Sequence, residues 1–156
     1  MSIFPGVTSV LCGVLCFGQG QDKPEKPNAS EVVPSIEISS VTTVPSVIHR
    51  AGERTNAVIE VQVANSGGKY APNSQATVAV VTYRAEPPDS SVEYLDSPQT
   101  QTLGVSPTVF KFKVKATENT RPGRIVVLAD IRAATEGIVV REPNPPSLAR
   151  AELSIE

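Results

Sequence analysis

His49 is the only histidine in the 156 residues, and few other side chains have the chemistry of a catalytic centre. A histidine general base of the hydrolase type would also need an activated nucleophile and an acidic partner. The sequence contains neither the Gly-x-Ser-x-Gly turn that exposes such a serine nor a glycine-rich phosphate loop. An enzyme that uses His49 with an acidic partner is therefore a remote alternative, and we predict no catalytic residue and no cofactor.

Three oxygen-bearing side chains form the one candidate metal site. Asp130 ends a strand-like run, and Glu142 and Asn144 follow in a later polar segment. Hard oxygen ligands at such a rim suit Ca²⁺, which takes about six to eight of them. The alternative is that both carboxylates are solvated or paired with Arg132 and Arg141. We favour the alternative because the segment has a low density of acidic residues.

A basic stripe is the candidate binding surface, formed by Lys111, Lys113 and Lys115. These lysines alternate with the apolar residues of segment 110–114, and a strand with this period of two carries the two kinds of side chain on opposite faces. The stripe, which Arg121 and Arg124 could extend, could bind an acidic partner or an anionic polysaccharide. We favour a second interpretation, in which the lysines keep a sheet soluble and prevent strand pairing.

The composition favours a single domain made of β-strands. A chain of 156 residues has room for one core, and its 14 prolines and 10 glycines mark frequent turns. Valine is abundant, which favours strands over helices. The net charge of −2 gives no attraction to nucleic acid or anionic lipid.

Strand-like runs separated by breakers follow one another from residue 35 onward. The predicted strands are 36–38 with an edge continuation at 47–49, then 58–63, 74–84 as a central strand, 92–95, a hairpin over 109–132 that turns at Pro122-Gly123, and 149–155. This spacing is typical of a sandwich. We therefore predict an all-β protein, with an immunoglobulin-like antiparallel β-sandwich of about seven to eight strands over residues 35–156.

The N-terminal residues 1–20 have the properties of a secretory signal peptide. No charged side chain occurs before Asp22, and residues 7–17 form an apolar run that is too short to span a bilayer as a helix but long enough for a signal core. Small residues at Gly18 and Gly20 suit cleavage after residue 20. A Pro-rich polar linker, residues 21–34, follows. We expect a secreted, periplasmic or cell-envelope protein with no stable membrane span after cleavage.

Three segments carry a family resemblance: residues 58–63 running into Asn65-Ser66-Gly67-Gly68, the block 110–130 with Pro122-Gly123 and Asp130, and residues 139–144. Together they resemble the bacterial CARDB family of immunoglobulin-like modules in exported proteins. The first is similar to the family's strand ending in Asn-x-Gly, and the second to its strand, Pro-Gly, strand, Asp block. The third resembles its Val-x-Glu-x-Asn segment. The resemblance implies the fold and an exported location, without a defined ligand.

The sequence therefore favours an exported, non-enzymatic β-sandwich that binds a protein or a cell-envelope component. An edge strand, the lysine stripe, or the apolar side chains of Val126 and Leu128 are the possible contact surfaces. The alternative is a structural or accessory component of an exported assembly without a separable ligand.

Removal of the predicted signal peptide should leave a mature chain that begins at Gln21. We expect intact-mass spectrometry of the exported protein to show this chain, and thiol titration after unfolding to detect no cysteine. The reason is that Cys12 and Cys16 both lie in the segment that the peptidase removes. An exported protein that keeps both thiols would contradict cleavage at this site.

Overall fold

The computed structural model of the protein describes residues 33–66, 76–88 and 91–156. The chain divides into two compact units, Met1–Glu31 and Val32–Glu156. The predicted signal peptide and nearly all of the predicted linker lie outside the described residues. So do Gly67 and Gly68 of the predicted turn and the first two residues of the predicted strand 74–84.

The described residues form ten β-strands and one 3-10 helix: β1 (Ser35–Val44), β2 (Val47–Ile48), β3 (Asn56–Asn65), β4 (Val78–Glu86), β5 (Glu93–Leu95), β6 (Gln99–Thr102), β7 (Thr108–Lys115), β8 (Gly123–Ala133), β9 (Val139–Val140), the 3-10 helix (Pro146–Ala149) and β10 (Arg150–Ile155). Seven of these strands have four or more residues, and three are short edge pieces. The number of full strands agrees with the predicted seven to eight.

Two five-stranded sheets make up the fold. The first sheet has the order β5-β7-β3-β1-β9, and the second has the order β2-β10-β8-β4-β6. The four-strand group β5-β7-β3-β1 facing β10-β8-β4 is the immunoglobulin arrangement of strands. The predicted all-β, immunoglobulin-like sandwich is therefore confirmed. The pairs are antiparallel except at two edges, where β9 runs parallel to β1 and β2 runs parallel to β10.

The chain changes sheets between β1 and β2. The sequence predicted that residues 47–49 would continue the first strand on a sheet edge. The structure instead places β2 on the edge of the second sheet, where Ser154 N–H donates to Ser46 C=O and Glu156 N–H donates to Ile48 C=O, both at 2.9 Å. Pro45 has no N–H to continue the ladder with β3, and the strand leaves its first partner at that point.

The predicted hairpin over residues 109–132 is wrong. Its first half, β7, lies in the first sheet between β3 and β5, and its second half, β8, lies in the second sheet between β10 and β4. Both halves alternate apolar and polar residues because each faces the same core from opposite sides. Such alternation shows which face is buried but does not identify the neighbouring strand.

The turn that follows β7 lies at Thr117–Thr120 and not at Pro122-Gly123. Thr120 N–H donates to Thr117 C=O at 2.9 Å, and Thr117 N–H donates to the Thr120 hydroxyl at 2.8 Å. The buried Thr120 hydroxyl also donates to Ser91 C=O at 2.9 Å. This hydrogen bond links the β7–β8 connection to the β4–β5 connection. Gly123 already belongs to β8, with a φ of 144° that a residue with a side chain would rarely adopt.

The core lies between the inward faces of the two sheets. The predicted inward residues of β3, β7 and β10 are all fully buried or nearly so: Ile59, Val61, Val63, Phe110, Phe112, Val114, Leu153 and Ile155. In β4, Val80 is 6% exposed and Val81 is 0% exposed, so neighbouring residues are buried on opposite faces of the sheet. The prediction that this is a central strand is confirmed, since β4 pairs with both β6 and β8.

Three aromatic rings pack together inside the sandwich. The ring of Tyr83 lies 4.9 Å from that of Phe112 and 5.2 Å from that of Tyr94, measured between centroids. The Tyr83 hydroxyl is buried and has no hydrogen-bond partner among the described residues. Burial raises the pKa of Tyr83 well above its ordinary value, and Tyr94 and Asp96 raise it further.

Replacing Tyr83 by Phe should therefore keep or raise stability. The substitution removes a buried hydroxyl that lacks a partner, and we expect a gain of up to about 1 kcal/mol at pH 7 by urea unfolding. Because burial raises the pKa of Tyr83 in the folded state, the folded protein resists ionisation of this hydroxyl. Its titration therefore leaves the free energy of unfolding unchanged below about pH 10 and lowers it as the pH rises further. Wild type should thus lose more stability than Tyr83→Phe between pH 9 and 11. If Tyr83→Phe were less stable than wild type at pH 7, the hydroxyl would make a stabilising interaction, and the claim that it lacks a partner would be wrong.

Candidate functional site

His49 lies on the surface, in the connection between β2 and β3. Its Nδ1 is 3.8 Å from a carboxylate oxygen of Glu156, and 42% of its side chain is exposed. Its backbone N–H donates to Arg54 C=O at 2.7 Å across a turn in which Gly52 has a φ of 88°. The residue therefore closes a surface turn beside the last strand, and an exposed contact of this kind contributes little energy.

Two of the three candidate metal ligands line one cleft of about 330 Å³ at the side of β8. Asp130 and Glu142 both face this cleft, whereas Asn144 is not part of its wall. The Asp130 carboxylate lies 3.9 Å from Nε of Arg84, so it pairs with a residue of β4 and not with the expected Arg132. Within the described ranges, no three acidic, His or Cys side chains are placed to share a metal ion.

The predicted lysine stripe lies on the outer face of the first sheet, where all three of its side chains are exposed. Lys111 Nζ lies 2.9 Å from the Glu60 carboxylate, and these two residues are direct partners in the β3–β7 ladder. Lys115 Nζ lies 4.0 Å from the carboxylate of Glu93, its partner across the β5–β7 ladder. Two of the three lysines therefore have a carboxylate on a neighbouring strand within 4.0 Å.

The third lysine, Lys113, has apolar neighbours instead. Its ladder partners are Val58 on β3 and Leu95 on β5, and Val58 in turn pairs with Val44 on β1. We call Val44, Val58, Lys113 and Leu95, which lie side by side on four neighbouring strands, the apolar row. Lys113 makes no ion pair with any residue that the structure describes.

The apolar row is open to solvent at both ends. Val44 is 56% exposed and Leu95 is 43% exposed, whereas Val58 between the strands is half-buried. The row lines a shallow groove of about 350 Å³ together with Asn56 and Ala57. Isolated exposed apolar side chains are ordinary on a protein surface, but here they adjoin each other and surround one unpaired ammonium group.

The two other predicted contact surfaces differ from the apolar row. Val126 and Leu128 are half-buried on the outer face of β8, opposite the buried Ile125 and Val127, as predicted. Their neighbours across the ladders are charged: Glu86 and Glu152 beside Val126, and Arg84 and Arg150 beside Leu128. Charged side chains therefore surround this surface on both sides.

The arginines that were expected to extend the lysine stripe do not lie beside it. Arg124 is in β8 of the second sheet, where its guanidinium lies 3.4 Å from the Glu152 carboxylate. Arg121 precedes β8 in the crossover and, with Arg124, lines a cleft of about 460 Å³ at the end of the sandwich. The error follows from the hairpin prediction, since two strands in different sheets present their outer faces to opposite sides.

Comparison with known proteins identifies no family. No family model matches the chain, and no curated protein matches it. Among solved structures, the crystal structure of the apo-form Calx CBD1 domain is similar, with 13% sequence identity and a TM-score of 0.39 over 77% of this chain and 95% of that chain. A likeness of this size carries no argument about function, and the fold assignment depends on the strand order. The resemblance to the CARDB family stays a prediction.

The sequence does contain a faint signal for the apolar row. Val58 stands one position before the inward residue Ile59, so it is predicted to lie on the solvent-exposed face of the strand. An apolar residue on that face is unusual but not informative alone. In the described part of the chain, the structure contains no helix with the length and hydropathy needed to cross a membrane.

The structure predicts that Lys113 has no role in stability. We expect Lys113→Met to change the free energy of unfolding by less than about 0.5 kcal/mol. Lys111→Met is the matched control, since it leaves Glu60 without its partner and should cost about 0.5–1 kcal/mol. Urea unfolding of both variants measures the difference. A larger loss for Lys113→Met than for Lys111→Met would show that Lys113 supports the fold.

Proposed function

We propose that this chain is an exported, non-enzymatic binding module that contacts a protein or a cell-envelope component through the outer face of its first sheet. The observation that carries the proposal is the apolar row, in which Val44 and Leu95 are about half exposed on either side of Val58 and an unpaired lysine. A partner that covers the row would remove apolar surface from water and supply an anion.

The energetics of the apolar row favour contact with another molecule. Full burial of a Val or Leu side chain contributes about 1.5–3 kcal/mol, so covering the exposed parts of Val44 and Leu95 gives on the order of 1 kcal/mol each. Lys111 and Lys115 are already paired and gain little from a partner. The binding energy is therefore concentrated on the row and not spread along the stripe.

Export is the other part of the proposal, and the N-terminal sequence supports it. The apolar run of residues 7–17, followed by Gly18 and Gly20, has the length and flanks of a signal peptide. The compact unit Val32–Glu156 begins within the last three residues of the predicted linker. A domain of this kind, released outside the cytoplasm, would meet envelope components directly.

Capture from envelope fractions tests the proposal. We expect wild-type protein to retain a defined partner, identified by mass spectrometry, and the double variant Val44→Asp/Leu95→Asp to lose it because two charges replace the ends of the row. Val105→Asp is the matched control, since it makes the same kind of change at an apolar residue that is 73% exposed and lies outside the row. Equal capture by all three proteins, or no capture by wild type, would overturn the proposed function.

A further inference from the structure

We propose that the apolar row binds a peptide segment of a partner protein in which one carboxylate stands between two apolar side chains. This inference depends on the proposed function, because it uses the same face, and it specifies the chemistry of the partner. Lys113 would receive the carboxylate, with Val44 and Val58 contacting one apolar side chain and Leu95 the other.

The first step is the difference between Lys113 and its two neighbours in the strand. Lys111 and Lys115 have carboxylates at 2.9 and 4.0 Å. Lys113 has Val58 and Leu95 in the corresponding ladder positions and no carboxylate of a described residue within 4.0 Å. Of the three lysines, Lys113 alone has no ion pair with a described residue, and it lies between Val58 and Leu95 in the apolar row.

The second step is the spacing of the row. Neighbouring strands lie about 4.8 Å apart, so the row extends over about 14 Å from Val44 to Leu95, with Lys113 nearer to Leu95. Alternate residues of an extended peptide are about 6.6–6.8 Å apart. A carboxylate placed at Lys113 therefore sets one apolar side chain between Val44 and Val58 and the other close to Leu95.

The third step is the choice between a protein partner and a polyanion. A polysaccharide or lipid surface that carries repeated anions binds best to several free cations. Here the rows on either side of Lys113 contain Glu60 and Glu93, each paired with its own lysine, so these rows offer no free cation to further anions. An isolated cation between apolar side chains suits one carboxylate with apolar neighbours, which is a property of peptide segments.

Selection from a random peptide library on the purified protein tests the inference. We expect enrichment of sequences with an apolar residue, Asp or Glu two positions later, and an apolar residue two positions after that. Binding of such a peptide, followed by fluorescence anisotropy, should weaken about fivefold when Lys113 is changed to Met or when the acid is changed to its amide. Arg124→Met, which removes a cation from the second sheet, is the matched control and should bind as wild type does.

A charge exchange supplies the decisive measurement. We expect the Lys113→Glu variant not to bind the acidic peptide. The same variant should bind a peptide that carries Lys in place of the acid. Enriched peptides without an acid at this spacing, or binding that is equal in wild type and Lys113→Met, would overturn the inference. So would Lys113-dependent binding of dextran sulfate or phosphatidylglycerol vesicles in place of peptides. If envelope capture depends on Val44 and Leu95 while acidic peptides do not bind, the proposed function stands and this inference fails.

Discussion

The fold depends on one constraint, which is that two sheets must bury their inward faces against each other. Phe110 and Phe112 of β7 are fully buried, and Val81 and Val127 oppose them from the second sheet. Both cysteines of the sequence precede residue 20, so no disulfide can join the described sheets as it does in antibody domains. Apolar packing, together with a few side-chain hydrogen bonds in the connections, holds the layers together.

Because the inward faces of the two sheets are buried against each other, the outer faces are the sheet surfaces that another molecule can contact. On the first sheet, the rows on both sides of the apolar row contain a lysine with a carboxylate on the next strand. Such pairs add little stability but keep an exposed sheet soluble. The interpretation of the lysines as a solubility device is compatible with these pairs for Lys111 and Lys115, and it stays a prediction. It explains Lys113 less well, since its neighbours are apolar.

The sequence predicted inward and outward faces well and strand partners poorly. The alternation at Ile59, Val61 and Val63 identified the buried face, because a period of two is a local property of the chain. The placement of β7 and β8 in separate sheets was missed, since partner choice depends on packing across the whole core. The candidate site was missed for the same reason. Val44, Val58 and Leu95 are distant in sequence and come into one row with Lys113 only through three ladder registers.

The position of Val44 in the apolar row depends on an irregularity at Ser39, five residues earlier. The β1–β3 register shifts between Ile38 and Ser40, so that Ile38 pairs with Val63 and Ser40 pairs with Gln62. An uninterrupted ladder would exchange the two faces of the strand beyond this point, which would turn Val44 inward and expose the buried Val41. The hydroxyls of Ser39 and Ser40 donate to the Gln62 backbone and side-chain carbonyls, both at 3.1 Å. These hydrogen bonds hold the shifted register, and the bulge thus completes the core and the candidate binding surface together.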